Sequence, residues 1–335
     1  MQKTTPTKIG ILKRLLSTTA GLVPSGELVE ALGVSRQAIW KGVESLKAET
    51  IGIESLPNRG YRLTHPPRYD LSPSWLECML DGCPLGHPIL LFESLDSTQE
   101  IAKDAARQGA PGGLVVLAEE QKSGRGRMGR NWLSPTGGNI YASVLLRPNI
   151  PPMKIQLVNL AAGLAVQSAL KGLYDVRCSL KWPNDILWKG KKLCGILSET
   201  ASETDRVHYA VTGIGLNVNL DEAQLLEAGA DKPSSIMEIT GRETSRGDLL
   251  VRLLKEFWGN LSMLEQGQEG VSRIVSLYRE RCSTLGKEVR VITDAGIDYG
   301  IAENVTAEGA LQVGVDGSTR VYAAADVLHV RASED

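Results

Sequence analysis

Between residues 124 and 130 the chain reads GRGRMGR, three glycines (Gly124, Gly126, Gly129) and three arginines (Arg125, Arg127, Arg130) in seven positions. Glycine lets backbone N–H groups approach an anion closely, and a guanidinium grips phosphate or carboxylate through two parallel hydrogen bonds. The chemistry this spacing offers is capture of a polyanion such as a nucleotide, on a loop expected to be mobile when empty and ordered by its ligand. The glycines also satisfy G-x-G-x-x-G, but the dinucleotide reading fails on context. Pro135 and Gly137-Gly138 keep a helix from opening after the loop, and no acidic residue stands about 20 positions on to take a ribose hydroxyl. No Lys-Ser/Thr pair makes it a P-loop either.

Other chemistry-bearing residues are weaker alone. In KWPNDI, Lys181 puts a charge at the end of an apolar strand, where burial is costly without an anionic partner. Pro183-Asn184-Asp185 taken alone reads as a plain β-turn, and DST at 96–98 as a helix cap. In GKKLCGI, Lys189 and Lys191 read as a solvated hairpin tip. Five cysteines include no C-x-x-C pair and four histidines no H-x-x-x-H pair, which argues against a structural zinc site and for reduced thiols. No serine–histidine or cysteine–histidine pair stands out. The N-terminal stretch lacks a signal-peptide core, and LVNLAAGLAVQSAL reads as one core helix too short to span a bilayer. The expectation is a cytoplasmic protein with no membrane partner.

The elements that must position these residues fall into three segments of the 335-residue chain. Residues 1–66 read as a winged helix-turn-helix. Ile9, Leu12, Leu15 and Leu16 mark a first helix. Ser25 caps a second with Leu28, Val29 and Leu32, Gly33 turns, and Ser35 caps a third with Ile39, Val43 and Leu46 inward. IGIESLPNRGYRL follows as two short strands around a turn, the wing. Residues 1–68 hold ten Lys/Arg and five Glu, so this head carries +5 and, with −2 overall, the remainder carries −7. A basic head on an acidic body suits phosphate binding. Ser35, Arg36 and Gln37 suit base edges, and Lys41 and Arg59 suit phosphates. A helical hairpin used for dimerisation is the competing use.

HPPRYDLSPSW (65–75) reads as the linker. Residues 67–283 alternate strands and helices, several strands following each other by tight turns, so the sheet is at least partly antiparallel. Met153 to Leu173 reads as a helix apolar nearly all round. Residues 284–335 read as short strands with Gly turns, a small SH3-like barrel. The fold class is thus α/β (α+β) and multidomain.

GRGRMGRNW, KWPNDI, KKLCGILSE and GIGLNVN, in this order behind a winged helix-turn-helix, resemble the biotin protein ligases. The closest resemblance is to the bifunctional members that also repress the biotin operon, and it covers essentially the whole chain. The resemblance implies a central domain like those of class II aminoacyl-tRNA synthetases and biotin/lipoyl ligases. It implies biotin and ATP as substrates with Mg²⁺. Biotin's carboxylate attacks the α-phosphate to give biotinyl-5′-adenylate and pyrophosphate. A lysine of the biotin carboxyl carrier protein of acetyl-CoA carboxylase then takes the biotin and releases AMP.

By the same resemblance, Ser97, Thr98 and Gln99 of DSTQE meet biotin, the last where many members carry Asn. Gln121 faces its carboxylate side, and Arg125, Gly126 and Arg127 fold over biotin and phosphate. Arg130 adds countercharge, and Trp132 stacks on adenine. Asn184 and Asn217 contact the adenosine. Asp185 holds Mg²⁺ or orients a lysine, and Lys192 reaches both carboxylate and α-phosphate. Lys181, Asp185, Lys192 and Arg127 form the catalytic set. The partners implied are the carrier protein, operator DNA and a second copy when adenylate is bound. A ligase with an idle head, a sensing repressor without catalysis and a lipoate-type ligase are the alternatives. The last is disfavoured because that family's histidine-bearing signature is missing.

Overall fold

The computed structural model describes residues 1–18, 21–67, 70–293 and 296–330. The chain enters through a two-residue strand, β1 (Gln2–Lys3), then α1 (Pro6–Ser17), α2 (Ser25–Leu32), α3 (Arg36–Lys47) and the hairpin β2 (Gly52–Leu56) and β3 (Gly60–His65). Thr5 and Ser35 accept from the third residue of the helices they cap, and Gly33 ends α2 in the left-handed conformation at φ 63°. The first helix is rotated slightly from expectation. Ile11, Leu12 and Leu15 are buried, while Leu16 is exposed. Ile39, Val43 and Leu46 face inward as expected.

The linker is shorter than its proline content suggests. Ser72 caps α4 (Pro73–Met79), whose Trp75 and Cys78 complete the head's apolar core. Arg68 and Tyr69 of that stretch lie outside the described residues. The junction is fastened by Glu49, only 7% exposed. It pairs with Lys8 at 2.7 Å and accepts from Ser72 Oγ at 2.6 Å, Ser74 Oγ at 2.8 Å and Ser74 N at 3.0 Å. Beside it, β1 runs antiparallel to β4 (Ile89–Leu95), at the edge of the central sheet.

That sheet has eight strands in the order β1-β4-β5-β6-β10-β9-β8-β7. The remaining ranges are β5 (Val115–Gln121), β6 (Ile140–Leu146), β7 (Ser179–Lys181), β8 (Asp185–Trp188), β9 (Lys191–Ser202) and β10 (Val207–Leu216). Only β4 and β5 pair in parallel, across α5 (Thr98–Arg107). One face is covered by α6 (Gln156–Tyr174), α9 (Arg246–Glu265) and α10 (Gln268–Arg281), which pack on each other and the sheet. Two short helices, α7 (Glu222–Glu227) and α8 (Ile236–Thr240), precede α9, and each opens with a capping box. The segment Pro152–Tyr174 is long and apolar enough to cross a bilayer by length and composition, contrary to the sequence reading; it is mostly buried among its neighbours.

The period-two alternation of β6 decides what each face does. Ile140, Ala142, Val144 and Leu146 belong to the core under the helices, while Tyr141 and Ser143 line a cavity on the opposite face. All five cysteines are free and buried, and burial pushes the Cys178 thiol up to about 12. The remaining strands, β11 (Glu288–Thr293), β12 (Gly296–Val305), β13 (Leu311–Val315), β14 (Ser318–Tyr322) and β15 (Asp326–His329), form an antiparallel sheet in the order β14-β13-β12-β11-β15. Residues 294, 295 and 331–335 fall outside the description.

Candidate active site

The cavity, of about 150 Å³, is floored by β6, β10 and β9 and walled by the N-terminus of α5, the glycine–arginine loop and β15. Its floor is glycine where a side chain would fill it. A Cβ at Gly215 would lie 2.3 Å from the Trp132 indole and one at Gly195 2.8 Å from it, so the ring rests flat on bare backbone. The indole Nε1 is buried without a partner, and Lys192 Nζ stands 5.3 Å from the ring centroid.

The loop is already laddered on itself. Gln121 pairs with Ser134 and Arg125 with Asn131. Trp132 N donates to Gly124 O at 2.8 Å and Gly126 N to Arg130 O at 2.7 Å. Gly124 is required for this closure, since a Cβ there would sit 2.3 Å from Trp132 O. Each arginine has an internal partner. Arg125 pairs with Glu100 of α5 at 2.6 Å, Arg127 donates to Ala325 O at 3.0 Å, and Arg130 pairs with Asp326. Burial pushes the Arg127 pKa down, against the pull of Asp326; a guanidinium stays charged regardless.

At the other wall Lys192 Nζ meets Asp185 Oδ1 at 2.7 Å. Its backbone is fixed by Lys232 O at 2.8 Å and Ser234 N at 2.9 Å. Lys181 lies across the β7–β8 turn in register with Asp185. Burial lowers its pKa, with Asp185 opposing. Lys191 points elsewhere, to Glu222 at 2.6 Å.

A polar cluster closes the α5 end. Thr98 N and Oγ1 donate to Gln121 Oε1 at 2.9 and 3.0 Å, and Gln121 Nε2 donates to Ser134 Oγ at 2.8 Å. Thr98 Oγ1 and Ser143 Oγ are 2.8 Å apart. Ser97, the α5 N-cap, makes no capping bond, and its hydroxyl is buried without a partner. A free hydroxyl in a polar pocket has an unfilled hydrogen-bonding demand that a ligand can meet.

Two expected ligand contacts are not supported by this geometry. Gln99 lines the cavity, but its amide is spent internally, Nε2 on Val211 O and Leu197 O and Oε1 on Ser143 Oγ. Asn217 is 5% exposed and lies outside the lining; Nδ2 donates to Ser234 O at 3.0 Å, bracing the segment that fixes Lys192. Asn184 is divided. It lines the cavity, yet its Nδ2 donates to Ile196 O at 2.9 Å across the turn. Sequence reasoning missed Ser143 and Asp326. Ser143 carried a signal, as a polar residue inside an apolar buried strand; Asp326 carried none, because the barrel end and the loop are almost 200 residues apart.

On the head, five basic side chains are neutralised internally: Lys8 by Glu49, Lys13 by Asp81, Arg14 by Glu27, Lys47 by Glu44 and Arg62 by Glu54. Arg36, Lys41 and Arg59 form no ion pair among the described residues, and all three are exposed with Gln37 on α3 and the wing tip. Ser35 is partly spent as the cap, accepting from Ala38 N at 3.2 Å. Trp40, 55% exposed between Arg36 and Lys41, is an addition the sequence reading did not make.

Residues 91–217 match the biotin/lipoate A/B protein ligase family, 8–62 an HTH domain and 284–330 the biotin protein ligase C-terminal domain. A bifunctional ligase/repressor BirA of Bacillus subtilis is 33% identical over 93% of this chain and 96% of its own length. The BirA of Escherichia coli is 28% identical over 94% of this chain and 96% of its own. Among solved structures, the Aquifex aeolicus biotin protein ligase in complex with biotin and ATP superposes with a TM-score of 0.60 at 28% identity, covering 73% of this chain and 99% of that one. With its head, its cationic cavity and its barrel all matched in order, the chain belongs to the family of bifunctional BirA ligase/repressors.

Proposed function

We propose that this chain joins biotin to a carrier-protein lysine by way of biotinyl-5′-adenylate, and that its head represses biotin-synthesis genes. The observation that carries the catalytic reading is charge. Five cations (Arg125, Arg127, Arg130, Lys181, Lys192) converge on a cavity lined by only two carboxylates, Asp185 and Asp326. A carboxylate and a triphosphate repel each other, so positioning and neutralisation dominate the first step. Lys192, held by its backbone, faces the carboxylate oxygen that forms the new bond to the α-phosphorus. The arginines take the charge of the departing pyrophosphate. In the second step the carrier amine forms the amide at the acyl carbon, the bond to AMP breaks, and the amine's extra proton leaves to solvent.

Ser97 Oγ, Thr98 and Gln121 form the pocket for the ureido end and side chain of biotin. Gln99 and Asn217 shape the floor and the Lys192 segment. Trp132 is the ring available to stack on adenine.

No cluster of three His, Cys, Asp or Glu ligands exists among the described residues. Asp185 and Asp326 already face cations. These residues would fit Mg²⁺ only if phosphate oxygens supplied most of its ligands, and Asp185 is the carboxylate that would hold it, neutralising charge on the phosphates.

Mass spectrometry of a biotin carboxyl carrier domain incubated with the chain, biotin and MgATP tests the ligase reading; one added biotin mass is expected. Arg127→Gly is expected to speed adenylate dissociation at least tenfold with little effect on folding, because it removes a charged contact from a loop. Unchanged dissociation would remove the role given to Arg127.

The repressor reading rests on Arg36, Lys41 and Arg59, which stand exposed on α3 and the wing with no ion pair among the described residues. Binding to the promoter of the biotin-synthesis genes, and a two-part operator read by an adenylate-bound homodimer, belong to the same proposal. Arg59→Ala is expected to weaken operator binding about equally for all sequences and to lower the log–log salt slope by about 1. A mobility-shift titration at several salt concentrations checks this, and an unaltered slope contradicts a phosphate contact.

A further inference from the structure

Of the three loop arginines, Arg127 and Arg130 are tied to the barrel, while Arg125 is tied to the opposite wall, at Glu100 of α5. Arg125 lines the cavity and Glu100 does not, so the carboxylate meets the guanidinium from outside the site. Glu100 lies in the first turn of α5, where the helix N-terminus also favours a negative charge.

The carboxylate is itself braced. Lys103, one turn on, pairs with Glu100 Oε1 at 2.8 Å and with Glu199 Oε1 of β9 at 3.1 Å. Its side chain is only 12% exposed, a setting in which an ammonium needs anionic partners. The hydrogen bond from Lys103 holds the Glu100 carboxyl below the usual carboxylate range, so it stays charged. Two carboxylates on one mostly buried cation leave a surplus of one negative charge, and Arg125 balances it. Groups from β9, α5 and the loop thus form one chain of ion pairs that ends over the cavity.

Two features set this pair apart from an incidental surface contact. A guanidinium carries five N–H donors, and Glu100 meets Arg125 at one terminal nitrogen, Nη1, at 2.6 Å, which leaves donors over for an anion in the cavity. The Arg125 side chain is otherwise half-exposed and long, with rotamer freedom that a ligand would have to freeze. A partner fixed by packed helix and sheet freezes it beforehand.

We propose that Glu100 is a positioning residue for adenylate formation: braced by Lys103 and Glu199, it presets Arg125 over the cavity, so that biotin and ATP meet an arginine already in place. The role rests on the ligase reading. It is a role in binding rather than in the chemical step, because a contact made equally in ground state and transition state changes KM and leaves kcat.

Glu100→Gln in the full chain tests it. The side chain keeps its size, and Lys103 keeps Glu199, so the cluster becomes neutral without an orphaned buried charge. Initial rates of pyrophosphate release and the rate of adenylate dissociation are measured, together with trypsin cleavage after the loop arginines in the ligand-free chain. KM for biotin and ATP should rise, and adenylate dissociation should quicken, about three- to fivefold, the scale of one partly exposed ion pair. Trypsin should cut the loop faster, while kcat stays within about twofold and Tm does not move. In an Arg125→Ala background the same substitution should change nothing further, because the residue it acts through is gone. Unchanged KM and dissociation in Glu100→Gln overturn the proposal. So does an equal effect with and without Arg125, which gives Glu100 another route of action. A lowered Tm with a matching loss of kcat overturns it as well, by making the cluster a support for the fold. An unaltered chain that forms no adenylate removes the ligase reading and this role together.

Discussion

Lys192→Gln is expected to lower the rate of adenylate formation roughly 100- to 1,000-fold, the range found when one preorganised charge-stabilising donor is removed from an active site. The side chain is aimed at the cavity by a backbone pinned on both sides, at Lys232 O and Ser234 N, so no other residue can take its place without moving that segment. Folding should be nearly untouched. The Lys192 side chain is 36% exposed, and a partly exposed ion pair contributes little to stability. Lys181, opposite Asp185 in strand register, remains in the cavity lining as a second cation. The adjacent Lys191→Gln is the internal control. Its ammonium faces Glu222, away from the cavity, and the rate should stay within about twofold of the parent. Pyrophosphate release measured on both variants separates a positioned charge from a general loss of positive potential. Equal losses in the two would contradict the role given to Lys192.

Glu49→Ala is expected to loosen the head from the body, at a cost of roughly 3–5 kcal/mol, the range for removing one partner of a buried ion pair. The carboxylate serves Lys8, Ser72 and Ser74 together, and its loss leaves a mostly buried ammonium and two hydroxyls without their acceptor. Calorimetry should show a separate, earlier transition for the head, and proteolysis should cut near residues 66–72, while adenylate formation persists. Glu49→Gln keeps an acceptor for the serines and should fall between the two. A single unshifted transition in Glu49→Ala would mean that the apolar packing of Trp75 and Cys78 fixes the head alone.

Local signals were legible wherever a short-range rule governs. Gly33 and Ser35 announce the turn and cap of α3, and KWPNDILWKGKKLCGIL its three strands, because these depend on neighbours a few residues away. The chemistry of GRGRMGR was legible for the same reason. Its partners were not: Arg127 and Arg130 end on Ala325 and Asp326, a contact fixed by how the barrel sits on the sheet. Asn217 and Gln99 show a related limit. A polar residue inside a motif looks like a ligand contact, but burial obliges each amide to satisfy nearby carbonyls first. The linker misled through its prolines, since Pro73 sits at the first position of α4, where a helix tolerates it.

The head is attached to the body at both ends of its own chain segment, by β1 on β4 before it and by α4 with Glu49 after it. The two attachments meet, since Thr4 Oγ1 just after β1 donates to Ser74 Oγ of α4 at 3.0 Å, so the head is held along one joined seam and not by a single covalent tether. The two-residue ladder of β1 is too short to be strong, but its detachment is intramolecular, so it re-forms at a high local concentration. The head therefore approaches DNA with its orientation largely set in advance. In any paired form of the chain, the separation between two recognition helices becomes a property of the bodies rather than of their linkers.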